Sequence, residues 1–346
     1  MSAEFIIKNH ALIECRENEE SEILTIPDEV EKIMPRAFIN CLCKEIVIPP
    51  DVKILEGYAF TECPRLERVT IPATVKTMKN GVFHGCRFLK EITILEGITE
   101  ISSRMFENCY NLEIVHLPES LKVINTSAFQ HCLSLKEITI PENVSSIGSN
   151  AFLVCDSLKK VHFPKSLAFM GADVFGGCHA LKRVEMPEHI GFIGKGAFGQ
   201  DNVLYFPQPE GEMAVRLEYQ WCEQRDEHLL LQFINTQDLH YREKIFSLLK
   251  TYSYKISVAL FMAEYHPEQA IYLAYVKRNI KRIVENLIKE SDIDRIEKVL
   301  TFGYVTKKNI DGLIDFAINH QKHEAYLTLL NYKNEVTGYT KKSFRL

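Results

Sequence analysis

The feature that most restricts how this chain can fold is a period. Phenylalanines stand at Phe38, Phe60, Phe83, Phe106, Phe129, Phe152, Phe175 and Phe198, the first step being 22 residues and every later one 23. Prolines keep the same beat at Pro27, Pro49, Pro72, Pro118, Pro141, Pro164 and Pro187, with Leu95 standing in once. Three residues after the proline position runs an apolar column: Val30, Val52, Val75, Ile98, Leu121, Val144, Leu167 and Ile190. Six after it runs another: Ile33, Leu55, Met78, Ile101, Ile124, Ile147, Met170 and Ile193. A period of 20–30 residues marks stacked repeats, in which each unit has an apolar face that only a neighbour can cover. Such a chain grows along one axis. Its 346 residues then need not divide into the two or three compact cores that this length otherwise implies.

Each unit can be read physically. Leu66-Glu-Arg-Val69-Thr-Ile71 and Leu135-Lys-Glu-Ile138-Thr-Ile140 alternate apolar and polar residues, the mark of a strand with one buried face. The proline that follows has no N–H to donate and closes the strand. The next dozen residues return the chain over the core. Coils of this kind stack into a solenoid, expected to carry one parallel sheet along a concave side.

The unit from Leu135 to Cys155, with Ile147-Gly148 and Ala151-Phe152 inside it, resembles the BspA-type leucine-rich repeat, whose pattern is Leu-x-x-Ile-x-Ile-Pro-x-x-Val-x-x-Ile-Gly-x-x-Ala-Phe-x-x-Cys. The opening Phe5–Ile13, followed by Ile23-Leu-Thr-Ile-Pro27, resembles the entry hairpin of such proteins. The resemblance covers residues 5 to about 207. The departures are a one-residue deletion between Cys41 and Ile46, Leu95 for proline, and Asp201 for the last cysteine. It implies a leucine-rich-repeat solenoid of about eight coils over residues 1–207; with the all-α helical domain that helical spacing indicates over 208–346, an α+β repeat protein is expected.

Ten cysteines invite a disulfide reading, but seven of them, Cys41, Cys63, Cys86, Cys109, Cys132, Cys155 and Cys178, each follow a repeat phenylalanine by three residues. In a parallel stack the Cβ vectors of equivalent residues point the same way, which disfavours bridging. A buried ladder of reduced thiols is expected, with Cys43 in a leucine position. Only Cys15 and Cys222 fall outside the repeat.

The outward strand positions carry the candidate binding residues. Two before the proline stand Thr25, Val47, Thr70, Thr93, His116, Thr139, His162 and Glu185; four before it stand Ile23, Glu45, Arg68, Glu91, Ile114, Glu137, Lys160 and Arg183. Five before it, Lys44, Glu67, Lys90, Glu113 and Lys136 alternate in charge before Lys159 and Lys182 break the pattern. Opposite charges on adjacent coils are mildly favourable, so most of this face is self-complementary. Lys159, Lys160, His162, Lys182 and Arg183 form a basic patch suited to an acidic partner. The binding candidates are the residues that break the ladders: Ile114, His116, Lys160, His162, Arg183 and Glu185.

Beyond Pro207 proline nearly vanishes and helical spacing takes over, with helices expected over 210–223, 226–236, 238–252, 255–264, 268–276, 279–289, 291–302, 309–320 and 323–332. Asp238, Asp292 and Asn309 are candidate N-caps and Gly303 a candidate C′ residue. Met213, Leu217 and Trp221 form an apolar stripe expected to cap the open end of the solenoid. Ile296–Gly303 is echoed by Tyr326–Lys333, which resembles degenerate ankyrin-like helix pairs without their Thr-Pro-Leu-His signature. His320 and His323 lack a third metal ligand nearby, and Lys277, Arg278, Lys281 and Arg282 read as a solvated basic face.

No glycine-rich phosphate loop, paired-cysteine zinc spacing, nucleophile elbow or H-E-x-x-H appears, so no catalytic residue, cofactor or metal is expected. Net charge is −5, with 21 basic against 27 acidic residues in 1–207, which argues against a nucleic-acid partner. No apolar window is long enough for a membrane span. Without a signal-like start the expected location is cytoplasmic, or the surface or exterior if a leader precedes this sequence. The expected function is a non-enzymatic scaffold presenting its solenoid surface to a protein or cell-surface macromolecule. The alternative is a targeting arm for an activity or switch in the helices. The family resemblance adds adhesion and protein–protein contact as the functional class.

Overall fold

In the computed structural model, residues 3–16, 20–39, 41–199, 202–215 and 224–337 are described, those at 224, 225, 227 and 337 by backbone alone. The chain forms two compact units, Met1–Tyr254 and Lys255–Leu346.

The first unit opens on an antiparallel hairpin of β1 (Glu4–Lys8) and β2 (Ala11–Arg16), turned by Asn9 and His10 with positive φ. From there each coil contributes two strands where one was expected. The longer strand precedes the proline position: β3 (Ile23–Thr25), β5 (Glu45–Val47), β7 (Arg68–Ile71), β9 (Glu91–Ile94), β11 (Ile114–His116), β13 (Glu137–Thr139), β15 (Lys160–His162) and β17 (Arg183–Glu185). A two-residue strand ends on the second apolar column: β4 (Lys32–Ile33), β6 (Ile54–Leu55), β8 (Thr77–Met78), β10 (Glu100–Ile101), β12 (Val123–Ile124), β14 (Ser146–Ile147), β16 (Phe169–Met170) and β18 (Phe192–Ile193). Both kinds pair in parallel with the equivalent strand of the next coil, as in Glu91↔Ile114 and Glu100↔Val123. The second ladder follows from backbone accounting: once the chain has turned at proline, the buried N–H and C=O groups not used in its own tight turns find partners on the coils above and below.

Inside the stack the repeat phenylalanines form one column. All eight are buried, and neighbouring rings stack face to face, 4.7 Å between centroids at Phe38–Phe60 and 5.1–5.7 Å further along. Burying each ring is worth about 1.5–3 kcal/mol, so this column alone is a substantial share of the core. The phenylalanines are held by tight turns. Two residues before them, Arg36, Tyr58, Arg104, Ser127, Asn150 and Asp173 have positive φ; two after, so do Glu62, Asn108, His131 and Val154. These turns aim the ring's own amide along the stack, as in Phe60 N–H to Val82 O at 2.9 Å.

The departures from the repeat have local consequences. Leu95 keeps the N–H that proline lacks and donates it to Ile71 O at 3.0 Å. Gly171 sits where a Cβ would fall 2.4 Å from Ser149 N, so a side chain there would hold two coils apart. The last coil is three residues short: β19 (Val203–Gln208) pairs with β17 as Arg183↔Val203, an offset of 20. Buried Asn202 closes that coil with a side-chain bond to Leu181 O.

The helix expected over 210–223 is not what its first part forms. β20 (Gly211–Val215) folds back on β19 through a two-residue turn at Pro209 and Glu210. Met213 and Val215 are buried while Glu212 is exposed, a period of two that the sequence reading took for helix. Met213 therefore packs from a strand, whereas Leu217, Trp221 and Cys222 lie outside the described residues. Two helices complete this unit, α1 (Gln224–Asn235) and α2 (Leu239–Leu248). Asn235 Nδ2 donates to Ile190 O at 3.0 Å. Fully buried Arg242 donates to Thr236 O at 2.8 Å and to Gln208 Oε1 at 2.7 Å, with its guanidinium over the Phe233 ring. The change of pattern after 207 thus falls inside a compact unit that runs to Tyr254.

α3 (Tyr252–Tyr265) is followed in the second unit by α4 (Ala270–Glu290), α5 (Ile293–Thr301), α6 (Ile310–Asn319) and α7 (His323–Thr337). The helices expected over 268–276 and 279–289 are one: Asn279 bonds back to Tyr275 O at 2.8 Å and does not break α4. Asp238 and Asp292 accept the capping N–H groups of Tyr241 and Arg295. Asn309 stands at the N-cap of α6, but its side chain accepts from Thr306 N at 2.7 Å. Gly303 follows α5 with φ +71°. α4 packs on α5 and α6, and α7 on both.

Candidate interaction surface

The cysteines can be assigned first. None of the described cysteines is in a disulfide. From the second coil on, each column thiol donates to the carbonyl of the preceding coil's phenylalanine: Cys63 to Phe38 O at 3.1 Å, Cys86 to Phe60 O at 3.0 Å, Cys109 to Phe83 O at 3.2 Å, and so to Cys178 and Phe152. In the shortened first coil Cys41 and Cys43 lie 3.2 Å apart, sulfur to sulfur. Burial pushes the Cys63, Cys109, Cys132 and Cys155 thiols well above their ordinary range. A neutral thiol is a poor nucleophile and a poor metal ligand, so this column is structural.

The outward face of the longer strands is where charge is organised. Lys44 pairs with Glu22 at 2.8 Å, Arg68 with Glu45 at 3.5 Å, Lys90 with Glu67 at 2.8 Å, His116 with Glu91 at 3.8 Å and Lys136 with Glu113 at 3.5 Å. In every case the acid stands one coil earlier. That regularity ends after Lys136. The neighbour one coil before Lys159 is Lys136 itself, and Lys159 N donates to Lys136 O at 2.7 Å. Lys160 stands in register with Glu137, yet among the described residues neither Lys159 nor Lys160 has a carboxylate within 4 Å. Strand pairing also lapses between β15 and β17, where Lys160 precedes Arg183.

All six residues singled out from the sequence are exposed on this face: Ile114 and His116 on β11, Lys160 and His162 on β15, Arg183 and Glu185 on β17. They do not act alike. Arg183 is committed, donating to Glu212 Oε2 at 2.8 Å and lying 3.5 Å over the Tyr205 ring. His116 Nε2 lies 3.8 Å from Glu91 Oε1. Ile114, Lys160 and His162 face solvent. The basic patch is therefore narrower than the sequence suggested, because β20 brings up a carboxylate that no repeat column contains.

Two surface features escaped the sequence reading. Phe169 and Phe192 project outward from β16 and β18, 43% and 48% exposed, with their rings 5.0 Å apart and nearly parallel. Their signal was a column of its own, which holds Lys32, Thr77, Glu100 and Ser146 in earlier coils. The second is a cleft of about 400 Å³ on the turn edge, between Glu62, His84, Arg87, Phe88 and Asn108. In the helical unit His320 bonds to Phe316 O at 2.9 Å while His323 lies against Tyr326. Among the described residues no three His, Cys, Asp or Glu side chains gather as a metal site, and no helix is long and apolar enough to cross a membrane.

Comparison with known proteins follows the repeats. The family model described as the BspA type leucine rich repeat region matches residues 6–136 and 122–210, more than half of the chain. No curated protein matches it. Among solved structures it is similar to a leucine-rich repeat protein from Bacteroides ovatus, at 24% identity over 55% of this chain and 58% of that one, with a TM-score of 0.45. It is also similar to a leucine rich cell surface protein from Faecalibacterium prausnitzii, at 26% identity over 59% and 74% of the two chains, TM-score 0.39. A leucine rich repeat protein of T. pallidum shares 20% identity over 59% and 77%, TM-score 0.34. The chain thus spans less than two thirds of the Bacteroides ovatus protein.

Proposed function

The chain belongs to the BspA-type leucine-rich repeat family, and from that premise we propose that it is a non-catalytic interaction scaffold whose outward strand face, over coils five to eight, holds a macromolecular partner. The observation that carries the reading is the change in that face. Through Lys136 each cation is paired with an acid one coil earlier; at Lys159 and Lys160 that pairing stops, and among the described residues neither has a carboxylate within 4 Å. Ion pairs within a surface hold its own side chains in place and leave little for a partner, whereas unpaired groups on a face that also exposes an apolar residue are what a partner can desolvate and match. Ile114, His162 and Lys160 are the contact residues in this reading; His116, Arg183 and Glu185 frame them.

The test is affinity capture with the intact chain, alongside a variant carrying Ile114→Asp and Lys160→Glu. Loss of the captured partner in the variant, with an unchanged circular dichroism spectrum, is expected. Capture that survives both substitutions would move the binding surface elsewhere, with the turn-edge cleft around Phe88 as the next candidate.

A further inference from the structure

We propose that two copies of this chain join end to end through the free edge of β1, antiparallel and in the register that sets Ile6 of one copy against Ile6 of the other. This contact lies apart from the outward strand face and does not depend on what that face binds.

The two ends of the stack are finished differently. At the last coil α1 packs on β18, with Asn235 Nδ2 donating to Ile190 O at 3.0 Å. At the first, the five-stranded sheet β1-β2-β4-β6-β8 stops at β1. Lys8 and Ala11 close the two-residue turn as a hydrogen-bonded pair. Bonded and non-bonded positions alternate along such a strand, so Phe5 and Ile7 direct their N–H and C=O groups away from β2. Outside the hairpin the backbone of neither bonds to any described residue. An open edge is a template for pairing, and proteins usually blunt it with proline, a bulge or a charge in mid-strand. β1, Glu4-Phe-Ile-Ile-Lys8, has none of these. Its charges lie at its two ends, and the hairpin's bulge falls on β2, where Ile13 is the extra residue.

That edge is complementary to itself. Turned antiparallel about Ile6, Glu4 of each copy faces Lys8 of the other, and Phe5 faces Ile7. Phe5 and Ile7 exchange both main-chain bonds with their opposites, and the N–H and C=O groups that β2 leaves unused are satisfied. Glu4, Ile6 and Lys8 share one face of the strand, where the end charges meet as opposite pairs. Both charges are available. Lys8 has no carboxylate within 4 Å among the described residues, and exposed Glu4 reaches only Arg16, at 3.9 Å, which Glu14 already holds by two bonds of 2.9 Å. On the other face half-buried Phe5 and Ile7 stand opposite Cys15 and buried Leu12, so pairing covers apolar surface that the hairpin leaves half open. Sliding the register two residues either way sets Glu4 or Lys8 against Ile6 and loses both ion pairs. Each copy offers one such edge and uses it, so a two-fold contact closes at two chains and does not propagate.

The test is sedimentation equilibrium of the intact chain from low to high micromolar concentration. Mass that rises with concentration from one chain to two, and no further, is expected of an edge contact this small. Ile6→Lys and Ile6→Glu each bring like charges together on the two-fold axis, and each should leave single chains with an unchanged circular dichroism spectrum. Mixed in equal amounts, the two variants should recover the dimer, which follows only if position 6 meets itself. A second readout does not need a charged variant to fold. Ile6→Cys, with oxidised glutathione as oxidant, should give a disulfide-linked dimer, because the Cα atoms of a non-bonded pair stand about 4.5 Å apart. The chain with isoleucine at that position should give none. A chain that stays single at every concentration, a mass beyond two chains, a dimer that survives Ile6→Lys, or folded variants that stay apart when mixed would each overturn the proposal. Should the charged variants lose their fold, the cross-link decides, and its absence where the intact chain is dimeric places the contact elsewhere.

Discussion

At the scale of single residues, the repeat assigns a separate job to each column. The cysteine is a small apolar side chain with a weak donor, and its S–H reaches a carbonyl that the tight turn around phenylalanine directs inward. The first prediction follows from burial. In the native protein the seven column thiols and Cys43 should not react with a disulfide reagent such as DTNB, and all eight should react once urea unfolds the chain. Reaction of any of them at the native rate of an exposed thiol would contradict the ladder. The turns give the second prediction. Val154 holds φ +59°, a conformation that costs a β-branched residue about 1–2 kcal/mol and that asparagine tolerates well. Val154→Asn should therefore raise the urea midpoint, by the equivalent of about 1 kcal/mol. The equivalent positions already hold Asn108, His131 and Gly177. The left-handed columns are visible in the sequence only as scattered Asn, Gly and Asp, because conformation there is imposed by the turn and not by residue type.

At the scale of elements, strands in this protein are short because the next coil, not their own length, holds them. The proline column ends each longer strand cleanly, and the single exception, Leu95, extends the ladder by one bond. Helices obey a different economy, since their first N–H groups need partners at the ends. The start of α3 finds them in Asp226, fully buried, whose Oδ2 accepts from the N–H groups of Lys250, at 2.7 Å, and Thr251. Burial raises the Asp226 carboxyl, but the bonds from Thr251 and Lys250 outweigh it and hold the group below its ordinary value. A carboxyl depressed on folding adds stability above its unfolded value of about 3.9 and loses it as pH falls through the folded value. Asp226→Ala should accordingly cost about 1–2 kcal/mol at pH 7. Its deficit relative to the unmodified chain should shrink as pH drops below about 4. A deficit independent of pH in urea titrations would remove the carboxylate from this role.

At the scale of the whole molecule, the stacked part should behave as a one-dimensional array, in which stability adds coil by coil. Duplicating residues 133–155, the most regular unit, should give a longer chain that folds and melts no lower, measured by circular dichroism; a fall in Tm would mean that the stack has a preferred length. Most of the stack was legible in the sequence for a geometric reason. Through the regular coils neighbours in space are 23 residues apart, or 22 at the first step, so lining up the repeats lines up the contacts. The buried phenylalanines, the reduced thiols and the alternating charges all follow from that one offset. Outside it, sequence distance ceases to report spatial distance. The pairing of Arg183 with Glu212, the hairpin in place of a helix at Gly211–Val215 and the fusion of two expected helices into α4 each depend on contacts with no fixed offset. The sequence by itself determined the repeat, its core and the place where the charge pattern breaks. Only the tertiary structure decided which of those charges remain unpaired, because a side chain's partner is set by whatever the fold brings within reach, and at the end of the stack that is a strand no repeat anticipates.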